Sequence, residues 1–424
     1  MSPKGINAEN LTFLLGLSLS LLLSACAGNE KQGITPPVSA IEGTHISEAG
    51  SDQANAGAED VATIPMQVAT ATLLVLPPTI TPQPAAVIPP TAAATPTAVP
   101  GQIGPDNFPE DVNPLTGESV QDPAVLNRRP LAVKVANTAR VRPQAGLNQA
   151  DLVFEHYSEG GITRFTAIFY TNTPKRVGSI RSGRLIDLEI PVMYDAAFAY
   201  SGSSNEIKEM IRQSMFFDRV ISPDFGHGGF WRTFDEKNPS EFKVDNLFTN
   251  TVDLRQILSD RGQEKPPIFH NGMTFNPNPP PGGTPVRGVE VIYAGTGIYW
   301  EYQPGTGRFN RWSDGQKHLD ASTGDQLSFK NIVIVRAPHV NTEIIEDSGG
   351  SPSIQIQIWG EGPAVLFRDG LQFDGRWKRE YPLDMLTFYD SQGEILPLAP
   401  GNTFIELVPV SFGGLAPRIE ADGS

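Results

Sequence analysis

Beyond Gly288 the chain is divided into short β-forming runs. "GVEVIYAG", "GIYWEYQP", "GRFNRWSDG", "KNIVIVRA", "SIQIQIWG", "PAVLFRDG" and "TFIELVPV" are rich in β-branched and aromatic residues. Gly, Pro, Asp or Asn separates them. Runs of this length do not sustain long helices, and turn residues between them favour hairpins. The pattern predicts a mostly antiparallel β domain over residues 286–424. The 41 glycines and 38 prolines of the chain fit a fold with many turns.

"NPNPPPGGTP" (Asn276–Pro285) is the strongest internal break and sets the expected boundary with an N-terminal domain over 106–276. In that domain "PLAVKVAN" (Pro130–Asn137) reads as a buried strand. "ADLVFEHYSE" (Ala150–Glu159) and "ITRFTAIFY" (Ile162–Tyr170) read as a hairpin turning at Gly160-Gly161. "LIDLEIPVMYDA" (Leu185–Ala196) reads as helical despite Pro191, and "AFAYSG" (Ala197–Gly202) as a short strand. "SSNEIKEMIRQS" then predicts a helix capped by Ser203, Ser204 or Asn205, with Ile207, Met210 and Ile211 on one face. Strands that alternate with helices predict an α+β or mixed α/β domain.

The N-terminus carries an address. Residues 11–25, "LTFLLGLSLSLLLSA", form an apolar run too short for a comfortable membrane span and suited to the core of a signal peptide. "LSAC" (Leu23–Cys26) resembles the bacterial lipobox. That resemblance implies cleavage before Cys26, a diacylglycerol on its sulfur and an acylated amino group, which together give durable anchoring. Cys26 is the chain's single cysteine, so an intrachain disulfide and a cysteine-based zinc site are both excluded. Residues 27–105 are first polar and acidic, then charge-free and rich in Pro, Thr and Ala. This composition predicts a disordered, extended stalk. The expected location is the outer face of the cytoplasmic membrane, held by lipid on Cys26.

The net charge of −15 argues against nucleic-acid binding, which needs a basic face. Against that background "RVGSIRSGR" (Arg176–Arg184) concentrates three arginines with Ser179, Ser182 and two glycines. Guanidinium forks suit phosphate, sulfate or carboxylate. The alternative is an internal ion-pair network with Glu155, Glu159, Asp187 and Glu189. "AYSGSSNE" (Ala199–Glu206) is a second strand–loop–helix anion seat, and equally an ordinary capped helix. Two such loops on one cleft would favour a ligand.

"FEHYSEGGITR" (Phe154–Arg164) places Glu155, His156, Glu159 and Arg164 around a turn, with Glu155 and Glu159 expected on one strand face. "DFGHGGFWR" (Asp224–Arg232) offers aromatics and Arg232 on a glycine-rich loop. The six histidines lack metal-ligand spacing, so no metal is expected, and no cofactor signature is present. A P-loop and a Gly-x-Ser-x-Gly elbow are absent too.

"NPLTG" (Asn113–Gly117), "RPLAVKVAN", "ADLVFEHYSEGGITRFTAIFY", "VGSIRSGR", "GRWKRE" and "PGNTFIELVP" together resemble the YerB-like bacterial lipoproteins. The resemblance spans residues 106–415 and implies an exported, membrane-anchored envelope protein with an N-terminal and a C-terminal part. It carries over no established activity. Ser179-Ile180 and Gly183 depart from the family's Gly-Pro-Val-Arg-Ser-Ala-Arg pattern, while the arginines stand. Val244-Asp245-Asn246 replaces a Pro-His-Asn step, so a role carried by that histidine would not extend to this chain.

Three readings follow. The first is a binding lipoprotein that takes an anionic or glycan-type envelope ligand, or an envelope protein partner, through Arg164, Arg181, Ser182, Arg184, Arg232 and Asn246. The second is a hydrolase or transferase on a phosphate- or carboxylate-bearing substrate, with Glu159 or Asp187 as acid–base group. The third is a structural protein whose arginines are already saturated by its own carboxylates.

Overall fold

The computed structural model describes residues 99–233, 245–412 and 418–423. The signal segment, Cys26 and most of the expected stalk lie outside them. In the first half the strands are β1 (Leu131–Ala136), β2 (Leu152–Tyr157), β3 (Thr163–Phe169), β4 (Val177–Gly178), β5 (Ala197–Ala199), β6 (Val220–Ile221), β7 (Phe230–Arg232) and β8 (Leu247–Thr249). The second half adds β9 (Thr284–Ile292), β10 (Gly297–Gln303), β11 (Arg308–Ser313), β12 (Gln316–Lys317), β13 (Ser328–Phe329), β14 (Asn331–Ala337) and β15 (His339–Ile345). It continues with β16 (Pro352–Ile356), β17 (Gly360–Arg368), β18 (Leu371–Arg379), β19 (Thr387–Tyr389), β20 (Thr403–Pro409) and β21 (Arg418–Gly423). Helices are few and short: α1 (Ile190–Met193), α2 (Asn205–Gln213) and α3 (Thr251–Asp260), with several 3-10 turns.

The molecule is therefore mostly β, and its first half is less helical than its sequence suggests. The expected helix over Leu185–Ala196 is a 3-10 turn (Leu185–Leu188) followed by the single turn of α1. Pro191 sits at the start of α1, where its missing N–H costs nothing, and could not be carried in the middle of a longer helix.

One sheet joins the two halves. Its order is β12-β11-β10-β9-β18-β17-β14-β20-β2-β3-β1-β5-β6, with β13, β19 and β21 attached to β11, β18 and β9. The hairpins are antiparallel, as expected from their short connections. The seam is different: β20 lies between β14 and β2, parallel to both. All seven of its residues are buried, as a strand covered on both faces requires.

The period of two divides the core. Ala132, Phe154, Ile168, Val335 and Ile405 pack to one side, with Ile190, Met193, Ile207 and Ile211 from the 3-10 turn region and helices α1 and α2. Val133, Val153, Ala167, Ile334 and Phe404 pack to the other, under Leu254 and Leu258 of α3 and the aromatic residues of β10 to β13. On that second side Arg311 is fully buried, 2.6 Å from Glu155 and 3.2 Å from Glu406. Glu155 and Glu406 are register neighbours on β2 and β20. Burial and the adjacent Glu155 carboxylate push Glu406 up. This ion cluster ties β2, β11 and β20 across the sequence.

Candidate functional site

The hairpin turn at Gly160-Gly161 forms as expected, with both glycines at positive φ (69° and 74°). The expected pairing of Glu155 with Glu159 does not. Strand β2 ends at Tyr157, so Glu159 lies in the following 3-10 turn rather than on the strand face. Glu155 points to the opposite core, toward Arg311, where its oxygens also accept from Asn137 and Thr163.

On the helix-covered side, alternation places Lys134, His156, Arg164 and Thr166 on one face of β1 to β3. Asp187 comes down on them from the 3-10 turn. Lys134 Nζ is 2.7 Å from Asp187 Oδ2, donates to Thr166 Oγ1 at 3.1 Å and meets His156 Nε2 at 2.7 Å. Asp187 also accepts from Thr166 Oγ1 and from the Arg184 backbone N–H. Lys134, His156, Thr166 and Asp187 have no exposed surface. Burial pulls the Lys134 ammonium down to about 8, against the opposing pull of Asp187. Burial and the Lys134 charge hold His156 well below its ordinary value.

One layer outward, Arg164 and Arg184 converge on Glu159. Arg164 Nη2 donates to Glu159 Oε1 at 2.5 Å, and Arg184 grips both oxygens, Nε to Oε2 at 2.7 Å and Nη2 to Oε1. Burial alone would raise the Glu159 carboxyl. The Arg184 hydrogen bonds and the Arg164 charge overcome it and hold the group well below the usual carboxylate range. Arg164 also donates to the Ser182 carbonyl at 2.9 Å, and burial lowers its guanidinium to about 9. Arg184 lies 3.4 Å from Glu346, which accepts from Ser353 Oγ at 2.6 Å, so the β15–β16 hairpin is fastened to the same cluster.

Arg181 and Ser182 sit differently. The two loops singled out in the sequence are joined by their backbones: Gly183 N–H donates to Gly202 O at 2.9 Å, and Ser201 N–H to Arg181 O at 3.1 Å. They touch so closely that a Cβ on Gly202 would lie 3.0 Å from Ser182 Oγ. The Arg181 side chain keeps 20% of its surface exposed, against 6% and 7% for Arg164 and Arg184. Its Nη2 is 3.3 Å from Asp245, whose other oxygen lies 2.5 Å from Arg140. Helix α2 begins at this junction. Its N-cap Ser204 makes no capping hydrogen bond, and the buried hydroxyls of Ser204 and of Ser179 in the facing loop have no hydrogen-bond partner. Arg232 at the end of β7 donates at 3.0 Å to Asn246, just before β8, and β8 pairs with β7 and β4.

The structure thus gathers Glu159, Arg164, Arg181, Ser182, Arg184 and Asp187 into one region. It also brings in His156 of the same hairpin and adds residues absent from the sequence-derived set: Lys134, Arg140, Asp245 and Glu346. Lys134 had a readable signal, a lone lysine inside the apolar run "PLAVKVAN". A charge in a buried strand needs a partner close by. Asp245 and Glu346 carried no such signal, because their partners lie far away in sequence.

Comparison with known proteins identifies the family. Residues 115–264 match the N-terminal domain of a protein family of unknown function (DUF3048), and residues 289–405 match its C-terminal domain. The chain is 31% identical over 317 residues to a Bacillus subtilis (strain 168) protein named "Putative lipoprotein YerB", an alignment spanning 72% of this chain and 88% of the relative. The crystal structure of YerB from Bacillus subtilis superposes with a TM-score of 0.61 at 29% identity, covering 73% of this chain and 99% of that one. The two matched segments are the two sequence halves that β20 stitches into one sheet, and the chain belongs to the DUF3048 family of YerB-like proteins.

Proposed function

We propose that this protein is a lipid-anchored envelope protein that binds a phosphate- or carboxylate-bearing ligand, such as an acidic envelope glycan, where loops 176–184 and 199–206 meet. The observation that carries the reading is the junction itself. Two loops with anion-binding composition are hydrogen-bonded to one another at the start of α2, and each buries a hydroxyl without a partner. A buried hydroxyl left unsatisfied is costly, and a bound anion or its water would supply the missing bond. The helix N-terminus and the exposed part of Arg181 add favourable charge.

The buried arginines have another role. Arg164 and Arg184 are committed to Glu159 and hold loop 176–184 in shape, so the ligand-binding and the structural readings apply to different residues of one loop. Acid–base catalysis by the two candidate carboxylates is poorly supported. Glu159 is held ionised by two guanidiniums, and Asp187 is sealed under the sheet-facing cluster. Among the described residues no helix is long and apolar enough to cross a membrane. Attachment at the outer face of the cytoplasmic membrane therefore rests on lipidation of Cys26 and on similarity to a protein named as a lipoprotein.

Calorimetric titration of the full chain in detergent micelles with inorganic phosphate, sulfate and a phosphorylated glycan tests the binding. Saturable binding is expected. Asp245→Asn should tighten it, because the variant removes a carboxylate that competes for Arg181. Ligand affinity that is identical in wild type and Arg181→Gln would remove Arg181 from the site. For the anchor, Cys26→Ala should move the protein to the soluble fraction.

A further inference from the structure

A second cleft, remote in sequence from the arginine loop, has no place in the function above. It measures about 570 Å³, the size of a small-ligand site. Both sequence halves build it. Thr116, Glu118 and Asp151 line it from the first half, and Arg308 and Asn402 from the second.

The Asp151 carboxylate in this lining is already satisfied. Asp151 is buried and accepts from Asn113 Nδ2 (2.6 Å), Tyr170 N–H (2.7 Å) and Thr171 Oγ1 (3.0 Å). Arg308 is oriented by Ser328, through Nε to Oγ at 3.1 Å and Nη2 to the carbonyl at 2.7 Å, and by Asn402 Oδ1 at 2.6 Å. These bonds use Nε and Nη2 and leave Nη1 for a ligand. The Glu118 carboxylate, in the same lining, feels the charges of Arg308 and Lys330 but forms no ion pair or hydrogen bond with either. Glu118 is exposed and open to a ligand, while Arg308 is half-buried, which pulls its guanidinium down.

From these observations we infer that the cleft binds a short peptide or amino-acid-like zwitterion, its ammonium on Glu118 and its carboxylate on Arg308. A carboxylate and a guanidinium that line one polar cleft without pairing with each other match a ligand that carries both charges. A guanidinium with one edge fixed and one edge open presents donors suited to a carboxylate. The free oxygen of Asn172 and the free amide N–H groups of Asn402 line the same cleft and complement a peptide bond. Aromatic rings, the usual stacking platform for a sugar face, are missing from this lining. The inference is independent of the arginine-loop reading.

Calorimetry on the full chain in detergent micelles, with tri-alanine, N-acetyl-tri-alanine, tri-alanine amide and a dimer of N-acetylglucosamine, tests it. Tri-alanine should bind, and capping either end should weaken it by at least about tenfold. Glu118→Gln removes the charge of a carboxylate that makes no internal bonds, so the variant should fold as wild type does. In it, the N-acetyl and free forms should bind with equal, low affinity, while the penalty for amidating the other end persists. Equal affinity for capped and free peptides in wild type, binding of the sugar in preference to the peptide, or no binding of tri-alanine would each overturn the proposal.

Discussion

Glu159 holds the residues around it by charge. Removing its charge takes from the buried Arg164 and Arg184 the counter-ion they share and leaves only Glu346 beside Arg184, and breaking a buried pair in this way costs about 3–5 kcal/mol. Urea unfolding of Glu159→Gln should show a loss of that order at pH 7. Its pH dependence has a definite sign. A carboxyl whose folded pKa is depressed stabilises fully above its unfolded value of about 4.3, and the contribution fades as pH falls toward the folded value. The gap between wild type and Glu159→Gln should therefore stay constant from pH 7 to 5 and narrow below about pH 4. His339 acts in the same sense, in a window at higher pH. Burial lowers it to about 4, so the unfolded chain binds more protons between pH 6.5 and 4 and stability falls on acidification through that window. His339→Phe keeps a ring against Tyr157 and should remove on the order of 3 kcal/mol of this acid loss, read from denaturant midpoints at pH 7 and pH 3. At this scale the sequence revealed the partners that lie close along the chain. Glu159 and Arg164 face each other across one hairpin, and Arg184 follows on the next loop. Glu346 and Asp245 arrive from distant elements, and nothing local in their surroundings marks them.

Helix α2 and its loop show how far element-level patterns reach. Ile207 and Ile211 are buried one turn apart, as the period of the segment requires, and the helix begins beside Ser204 as expected. What the pattern could not tell is that Ser204 leaves its capping position unused. Ser204→Asp should supply the missing cap and stabilise the protein by about 0.5–1 kcal/mol. It should also abolish anion binding by placing a negative charge at the seat. Thermal unfolding with and without phosphate checks both effects, and a variant that is more stable yet still binds would place the ligand elsewhere. The strands were legible because alternation and turn residues are local signals. Helix α3 and strands β15 and β18 were not anticipated, since β18 ("LQFDGRWKR") mixes charges with its alternation and sits on a partly exposed part of the sheet.

The whole molecule depends on a strand that sequence reading assigns to the wrong company. "TFIELVPV" reads correctly as a strand, but its partners β2 and β14 are parallel and remote, and such pairings leave no trace in a local pattern. Phe404 on this strand packs its ring against Phe165, Trp300 and Phe329 at 4.7–5.9 Å, joining both halves in one core. Phe404→Ala should cost about 3–5 kcal/mol. Unfolding should remain a single transition, because both halves share that core; two separated transitions would mean that each half stands alone. The central claim is that one loop divides its arginines between holding the fold and meeting a ligand. Phosphate-dependent unfolding of Arg184→Gln beside Arg181→Gln tests it most directly. The account predicts that Arg184→Gln is strongly destabilised without ligand, whereas Arg181→Gln unfolds near wild type but loses the stabilisation of ~2.7 kcal/mol expected at about 100 times the dissociation constant. Equal destabilisation of both variants, with the phosphate effect intact in each, would contradict it.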